Sequence, residues 1–317
     1  MSIFDKLSLA GLVPVIKVEN AEDAVPLCKA LMDGGLPVAE ITFRTAAAEQ
    51  AIRNVHEALP EVMLGAGTVL TVDQVKRAVA AGASYIVSPG LNPTVVSYCV
   101  ENNIPILPGC ANPSDIEAAL SFGFDTVKFF PAEAAGGINF IKAISAPYGN
   151  VKFVPTGGIG EKNLLDYISF PKVCAVGGSW MVPADAVKNK DWAKITALTK
   201  QAVKLLLGLE LKHIGINNEN EEQAKKNAGI FSLITGLPVS DTGAYFVGKE
   251  FEILKKNYLG THGHIALQVN NLMRAKWHIE QRGFEFNEDS LSLKDGKPNA
   301  IYLKDEVAGF AVHILQK

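Results

Sequence analysis

The sequence is poor in the features that mark secreted, membrane-bound and nucleic-acid-binding proteins. Its 4 cysteines are widely spaced and form no Cys-x-x-Cys pair, which favours reduced thiols over a disulfide framework. The formal net charge is only −3, and no basic run or acidic tail indicates nucleic acid or anionic lipid as a partner. No apolar run is long enough to span a bilayer, and the first residues lack the pattern of a signal peptide. We therefore expect a cytoplasmic protein without membrane or nucleic-acid partners.

Histidine is almost absent from the first part of the chain. Of the 6 histidines only His56 precedes residue 210, whereas all 4 cysteines do. This asymmetry indicates two halves with different chemistry, and 317 residues suit one large domain and one smaller domain. We predict domains over residues 1–209 and 210–317.

Short apolar runs alternate with amphipathic stretches over the first part of the chain. Such alternation is typical of an α/β fold with a parallel sheet. A closed (β/α)8 TIM barrel fits better than an open doubly wound sheet, because no glycine-rich phosphate fingerprint follows the first strand. The eight predicted strands are Val13–Val18, Val38–Phe43, Met63–Val69, Tyr85–Ser88, Ile106–Pro108, Thr126–Phe130, Lys152–Pro155 and Val173–Val176.

One predicted strand, Thr126–Phe130, is apolar or β-branched except for Lys128. A buried ammonium ion without a partner is strongly disfavoured, so such a lysine is either ion-paired or neutral, and a neutral amine is nucleophilic. Alternation along the strands allows Glu40 to face the same interior as Lys128. An amine beside a carboxylate is the minimum for imine chemistry. The alternatives are a lysine that reaches solvent and a structural ion pair of Glu40 with Lys128 or Lys17.

Glycines follow the last two predicted strands, as Gly157-Gly158 and as Gly177-Gly178 before Ser179. In TIM barrels these two loops, with a short helix N-terminus, form the usual phosphate site. Glycine lets backbone N–H groups approach an anion closely, and a hydroxyl adds a donor. The alternative is that the glycines serve only tight turns.

Two donors follow the second and third predicted strands. Arg44 offers a fork of N–H groups that suits a carboxylate, and Thr68 could add a hydroxyl to the same carboxylate. The alternative for Arg44 is a solvated surface arginine.

Six ordered segments resemble those of the class I aldolases that act on 2-keto-3-deoxy-6-phosphogluconate and 4-hydroxy-2-oxoglutarate. They are EITFRT, GAGTVL, SPGLNP, VKFFPAEAAGG, PTGGI and VGGSWMVPADA, within about Leu7 to Leu206. The resemblance implies a cytoplasmic homotrimer of the Entner–Doudoroff route, with a covalent lysine imine and neither metal nor cofactor. It implies cleavage of 2-dehydro-3-deoxy-6-phosphogluconate to pyruvate and glyceraldehyde 3-phosphate, and of 4-hydroxy-2-oxoglutarate to pyruvate and glyoxylate.

The same resemblance assigns roles to residues. It makes Lys128 the Schiff-base lysine and Glu40 the general acid and base. The implied substrate-binding residues are Arg44 and Thr68 for the pyruvate carboxylate, Pro89 and Phe130 for the pocket walls, and Gly157, Gly158, Gly178 and Ser179 for the phosphate. The loop after the fifth strand departs from the family, with Cys110 and Asn112 where a small residue and Ser or Thr are expected. That departure puts the substrate preference in question.

Two other functions fit parts of this pattern. An aldolase for another 2-keto-3-deoxy acid would need the same lysine and carboxylate, and the glycine loops do not fix the stereochemistry at C4. A non-enzymatic barrel that binds sugar phosphates would keep the glycine loops but would need neither Lys128 nor Glu40.

After the predicted barrel-closing helix Asp191–Leu209 the pattern changes to an internal repeat of about fifty residues. Each repeat has a βαβββ order, the first starting at HIGI and the second at HIAL. One such unit leaves a sheet face exposed, so we expect two units to pack together in a small α+β domain. The predicted elements are Leu211–Ile216, Asn220–Thr235, Ala244–Val247, Phe251–Leu254, His264–Val269, Asn271–Arg282, Ala300–Leu303 and Gly309–Leu315.

This second domain resembles the glyoxalase, or vicinal-oxygen-chelate, superfamily. The similarity lies in HIALQVNNLMRAKWHIEQRGFEF and IYLKDEVAGFAVHIL, although the Asp-Pro usual before the final strand is absent. The resemblance implies one metal ligand from the first and one from the last strand of each unit, and first-row divalent metals suit such ligands. The matching residues are His213, Glu252, His264 and His313. The alternatives are a metal-free domain for assembly or regulation and a second enzymatic step on a small 2-oxo acid or aldehyde.

Overall fold

Helices and parallel strands alternate through the first part of the computed structural model, which describes residues 1–317. The chain divides into two units, Met1–Leu206 and Leu207–Lys317. The strands of the first unit are β1 (Leu12–Ile16), β2 (Val38–Thr42), β3 (Met63–Gly67), β4 (Tyr85–Val87), β5 (Ile106–Leu107), β6 (Gly109–Cys110), β7 (Thr126–Phe129), β8 (Lys152–Pro155) and β9 (Val176–Gly178). None of the chain's helices has the length and apolar character that a membrane crossing requires.

Ten α-helices lie between or beside these strands. They are α1 (Ile3–Ala10), α2 (Ala24–Asp33), α3 (Ala48–Ala58), α4 (Val72–Ala80), α5 (Pro93–Glu101), α6 (Pro113–Ser121), α7 (Gly137–Ile144), α8 (Leu164–Ile168), α9 (Ala184–Lys188) and α10 (Trp192–Leu207). Several helix starts follow simple rules: Asn92 and Asn112 each cap a helix whose first residue is proline, where a missing N–H costs nothing.

The strands form a curled parallel sheet in two parts. Six strands pair in the order β5-β4-β3-β2-β1-β9 and three in the order β6-β7-β8. Thr156, which follows β8, forms an isolated parallel bridge with Gly177 of β9. The predicted eighth strand, Val173–Val176, was wrong in its bounds, because Val173 forms only an isolated bridge and the regular ladder begins at Val176.

The fifth strand was predicted over Ile106–Pro108, but β5 ends at Leu107 and the chain continues after Pro108 as β6. Before Pro108 β5 pairs with β4, and after it β6 pairs with β7. Proline has no N–H to donate to a ladder, but the carbonyl of Pro108 accepts from the backbone N–H of Lys128 at 2.9 Å. The chain therefore changes its strand partner at this residue.

Alternation along β2 decides which of its side chains are available for chemistry. Ala39 and Ile41 are fully buried in the large apolar cluster formed with the helices. Because successive side chains of a strand point to opposite faces, Glu40 and Thr42 face the other side of the sheet. The pattern predicted from sequence for this strand is confirmed.

The second unit is dominated by an eight-stranded sheet. Its elements are β10 (Glu210–Ile216), α11 (Glu221–Thr235), β11 (Val239–Asp241), β12 (Tyr245–Val247), β13 (Phe251–Ile253), β14 (Gly263–Val269), α12 (Leu272–Glu280), β15 (Ser292–Lys294), β16 (Lys297–Tyr302) and β17 (Phe310–Gln316). Each half runs β-α-β-β-β, and the sheet order is β11-β12-β13-β10-β14-β17-β16-β15. The two exposed edge strands β11 and β15 were not located from sequence, because three residues are too few to show a periodicity.

Candidate active site

Lys128 and Glu40 lie 88 positions apart in sequence and form a buried contact in the first unit. The Nζ atom of Lys128 is 3.3 Å from Oε1 of Glu40, and the two side chains are 7% and 4% exposed. Lys17, the other charged residue considered as a partner for Glu40, instead pairs with Glu19 at 2.6 Å and is half exposed. The amine and the carboxylate can therefore exchange a proton in an environment from which bulk water is largely excluded.

Two glycines of β3 make room for this arrangement. A Cβ atom on Gly67 would lie 2.2 Å from Oε1 of Glu40, and one on Gly65 would lie 2.2 Å from Cζ of Tyr85. Neither distance is compatible with a side chain, so the glycines allow the carboxylate and the phenol ring to lie across the strand. Burial, and to a lesser extent the charge of Glu40, raise the pKa of the Tyr85 hydroxyl, which stays protonated.

Six of the predicted site residues line one cavity of about 150 Å³. They are Arg44, Phe130, Gly157, Gly158, Gly178 and Ser179. Lys128 and Glu40 do not line this cavity, but the ring centroid of Phe130, which does, is 5.6 Å from Nζ of Lys128. The remaining lining residues, Val15, Thr156 and Ile159, were not predicted. Thr156 could have been found, because it follows the C-terminal end of β8, where barrel sites lie, and directly precedes the glycine pair.

The glycine loop after β8 has a backbone suited to an anion. Gly157 and Gly158 have φ angles of 103° and 80°, a left-handed conformation that side chains disfavour. Successive backbone N–H groups in such a turn form a concave site for phosphate. The N–H of Gly160 is already used, since it donates to Oδ1 of Asn163 at 2.9 Å. The amides of the loop residues that line the cavity are thus the ones placed to bind an anion.

Arg44 and Thr68, the two residues predicted to bind the substrate carboxylate, are oriented in different ways. Nε of Arg44 donates to Oγ1 of Thr42 at 3.1 Å, and that hydroxyl donates to the carbonyl of Ile16 at 2.8 Å, so the guanidinium is oriented from β2. Thr68, just after β3, has a φ angle of 55°. A non-glycine residue in this region is strained by about 1–3 kcal/mol, which is common at binding sites. Pro89 is half buried after β4, and neither Thr68 nor Pro89 lines the described cavity.

The two residues that depart from the family pattern have structural partners. Oδ1 of Asn112 accepts from the backbone N–H of Asp115 at 3.1 Å and caps helix α6. Cys110 is buried in β6, and burial together with the nearby charge of Asp115 raises the pKa of its thiol to about 12. Cys110 is therefore a protonated thiol, and the departures concern helix capping and packing.

The second unit brings together the four side chains predicted to bind metal. Its four central strands, β13, β10, β14 and β17, each supply one of them. Oε2 of Glu252 is 3.1 Å from Nε2 of both His213 and His264, and those two nitrogens are 3.0 Å apart. The nearest ligand atoms of these two histidines and of His313 all lie within 4.8 Å of one another.

The protonation states of His313 and Glu252 favour metal ligation by this cluster. Burial, followed by the neighbouring imidazoles, lowers the pKa of His313 to about 4, so this ring is neutral at pH 7. Neither ring nitrogen of His313 has a hydrogen-bond partner, although the residue is only 8% exposed. Hydrogen bonds from His213 and His264 lower the pKa of Glu252 to about 2. The neutral imidazole of His313 and the ionised carboxylate of Glu252 are the forms of these two residues that bind metal.

Comparison with known proteins places the first unit in one family. The family model "Aldolase: KDPG and KHG aldolase" matches residues 3–198. A 2-dehydro-3-deoxy-phosphogluconate aldolase of Treponema pallidum is 48% identical over 206 residues, which are 65% of this chain and 98% of the relative. A KDPG aldolase structure from Legionella pneumophila, with pyruvate captured as a covalent carbinolamine, is 42% identical with a TM-score of 0.61, covering 63% of this chain and 97% of that one. A KDPG aldolase structure from Zymomonas mobilis with 3-phosphoglycerate is 41% identical with a TM-score of 0.60, covering 63% and 94%. The chain therefore belongs to the family of KDPG and KHG aldolases.

Proposed function

We propose that the first unit is a class I aldolase that cleaves 2-dehydro-3-deoxy-6-phosphogluconate to pyruvate and glyceraldehyde 3-phosphate. The observation that carries this function is the contact of Lys128 Nζ with Glu40 Oε1 at 3.3 Å, beside a glycine-lined cavity. Its relatives include KDPG aldolases, one of which was captured with pyruvate as a covalent carbinolamine. We include 4-hydroxy-2-oxoglutarate as a second substrate, because the family comprises KHG aldolases too.

In the first stage Lys128 becomes covalently attached to the substrate. Its neutral amine attacks the C2 ketone to give a carbinolamine, whose hydroxyl leaves as water with a proton from the acid form of Glu40, which leaves a protonated imine and the Glu40 carboxylate. Arg44 and Thr68 hold the adjacent carboxylate, which fixes C2 within reach of Nζ. The positive imine nitrogen then stabilises negative charge as it develops at C3.

In the second stage Glu40 moves the protons. Its carboxylate accepts the proton of the C4 hydroxyl, directly or through one water molecule, while the C3–C4 bond breaks. The electron pair of that bond passes to the imine as an enamine, and C4 leaves as the aldehyde of glyceraldehyde 3-phosphate. Glu40 returns the proton to C3, water then adds to the protonated imine to free pyruvate and the neutral amine, and the proton released goes back to Glu40.

The phosphate group is assigned to the glycine side of the cavity. The backbone N–H groups of Gly157, Gly158 and Gly178 and the hydroxyl of Ser179 supply the donors. Pro89 and Phe130 are assigned to the pocket walls. This arrangement favours a phosphorylated substrate over other 2-keto-3-deoxy acids. It also assigns a function to the glycines of both loops.

The function is tested by following pyruvate release from three substrates with the full-length protein. We expect the highest kcat/KM with 2-dehydro-3-deoxy-6-phosphogluconate, a lower value with 4-hydroxy-2-oxoglutarate, and the lowest with 2-dehydro-3-deoxygluconate, which lacks the phosphate. Pyruvate release that is fastest from a non-phosphorylated acid would favour the alternative aldolase. Binding of sugar phosphates without any turnover would favour the non-enzymatic barrel.

For the protein as a whole we propose a cytoplasmic homotrimer with a closed eight-stranded barrel over residues 1–209. The four cysteines, all free and buried, support a reducing compartment. The parallel bridge between Thr156 and Gly177 supports closure, since it links the two parts of the sheet. We assign residues 210–317 to a glyoxalase-like domain on the basis of its two β-α-β-β-β halves.

We also propose that His213, Glu252, His264 and His313 hold a first-row divalent metal such as zinc, nickel or iron. A tetrahedral zinc site with bonds of about 2.0–2.1 Å has ligand atoms about 3.3 Å apart, close to the 3.0 and 3.1 Å separations among His213, His264 and Glu252. Two orphaned nitrogens on buried His313 also support the assignment. A bound metal would act as a Lewis acid for oxygen ligands.

Metal content tests this second site. After removal of metal and dialysis against Zn²⁺ or Ni²⁺, we expect about one equivalent in the full-length protein and a loss of at least about tenfold in affinity in His264→Ala. His262→Ala is a matched control, because His262 is exposed and outside the cluster. Aldolase activity should survive chelation, since the lysine imine needs no metal. No bound metal in the wild-type protein would favour the metal-free alternative.

A further inference from the structure

Glu133 is a residue that the proposed mechanism does not use, although it borders the phosphate loop. It lies in the turn between β7 and α7, and its backbone N–H donates to the carbonyl of Gly157 at 3.0 Å. The preceding residue, Ala132, donates in the same way to the carbonyl of Thr156 at 2.8 Å. The turn after β7 therefore continues the pairing of β7 with β8 up to the glycine loop.

The side chain of Glu133 packs on the same loop. A Cβ atom on Gly158 would lie 2.6 Å from Cβ and 2.7 Å from Cγ of Glu133, so the methylene groups of the glutamate close one side of that glycine. On the other side of the loop, Asn163 accepts from the N–H of Gly160 at 2.9 Å and donates to the carbonyl of Gly158 at 3.4 Å. The two successive left-handed glycines are thus held by a glutamate and by an asparagine.

The carboxylate of Glu133 is anchored away from the phosphate loop. Oε1 accepts a hydrogen bond from the hydroxyl of Tyr167 in α8, and Tyr167 is only 1% exposed. The same oxygen would be 3.2 Å from a Cβ atom on Gly137, the first residue of α7, where the helix dipole favours a negative charge. Burial, and then the bond to Glu133, raise the pKa of the Tyr167 hydroxyl, which stays a donor.

We propose that Glu133, held by Tyr167, is a positioning residue that fixes the Gly157-Gly158 backbone for phosphate and so sets the preference for phosphorylated substrates. The inference rests on the proposed aldolase function. Glycine-rich segments have many accessible conformations, and an anion site is effective when its donors are fixed before the ligand arrives. Glu133 provides that order through its methylene groups, while its carboxylate is directed to the hydroxyl of Tyr167 and the N-terminus of α7.

The test compares a reaction that needs the phosphate loop with one that does not. In full-length Tyr167→Phe and Glu133→Ala, we expect KM for 2-dehydro-3-deoxy-6-phosphogluconate to rise about fivefold to tenfold. Exchange of the methyl protons of pyruvate in D₂O, followed by NMR, does not involve the phosphate loop, and we expect its rate to stay within about twofold of wild type. Glu133→Gln should restore the low KM, because its amide oxygen can still accept from Tyr167.

Tyr148→Phe is the matched control, because it removes another tyrosine–glutamate hydrogen bond, to Oε1 of Glu117 at 3.1 Å, from a distant loop of the same unit. Its KM should equal that of wild type. A parallel fall in cleavage and in pyruvate exchange, or an unchanged KM in both Tyr167→Phe and Glu133→Ala, would overturn the positioning role. Absence of pyruvate exchange in the wild-type protein would overturn the aldolase function and, with it, this inference.

Discussion

Replacement of Lys128 by methionine is expected to lower kcat for 2-dehydro-3-deoxy-6-phosphogluconate by more than about a thousandfold, because the covalent intermediate can no longer form. The methionine keeps the length and packing of the buried side chain, which is 6% exposed. Because Glu40 loses its buried partner, a circular dichroism spectrum equal to that of wild type is needed to assign the loss to chemistry. Pyruvate release measures turnover. Borohydride reduction in the presence of pyruvate, followed by peptide mass analysis, should label Lys128 in the wild type and no lysine in the variant.

Lys152→Met is the appropriate control for this experiment. Lys152 begins the neighbouring strand β8 and is exposed. It should keep both activity and labelling. Labelling of a different lysine in the wild-type protein, or wild-type turnover in Lys128→Met, would contradict the assignment of the nucleophile and leave the buried pair as a structural ion pair.

Replacement of Glu40 by glutamine is expected to lower kcat by about a hundredfold to ten-thousandfold, the usual scale of a lost general acid–base group. The amide keeps the shape of the side chain but cannot accept the C4 hydroxyl proton. Borohydride labelling of Lys128 with pyruvate should persist in this variant, because the amine is still present. The two measurements together separate a proton-transfer role from a role in holding the lysine.

Substitution of Gly67 in β3 is expected to displace the same carboxylate of Glu40. In Gly67→Ala the new methyl group would lie 2.2 Å from Oε1 of Glu40, so the carboxylate must move away from Lys128. We expect a fall in kcat with a folded protein, whereas Gly149→Ala, which adds a methyl group with nothing within 4 Å, should behave as wild type. Wild-type kcat in both Glu40→Gln and Gly67→Ala would show that Glu40 only pairs with the lysine.

Local patterns predicted much of the first unit. Short apolar runs located its strands and amphipathic stretches its helices, because a parallel strand buried on both faces is apolar throughout, whereas a helix buried on one face shows a period near 3.6. The family resemblance stated from six segments is confirmed by the match over residues 3–198. The continuation of the chain as β6 after Pro108 was not predicted and the bounds of the last strand were wrong, because both depend on which neighbour each residue pairs with.

By itself, the sequence determined that a lysine interrupts an apolar strand, that glycine pairs follow two strands, and that histidines gather after residue 210. Only the tertiary structure decided that Lys128 contacts Glu40 rather than solvent and that the absence of a side chain at Gly67 leaves room for this contact. The same holds for the hydrogen bond between Tyr167 and Glu133. The physical reason is that periodicity specifies which face of its own element a side chain occupies. Contacts between elements depend on strand order and register, which arise from packing of the whole unit.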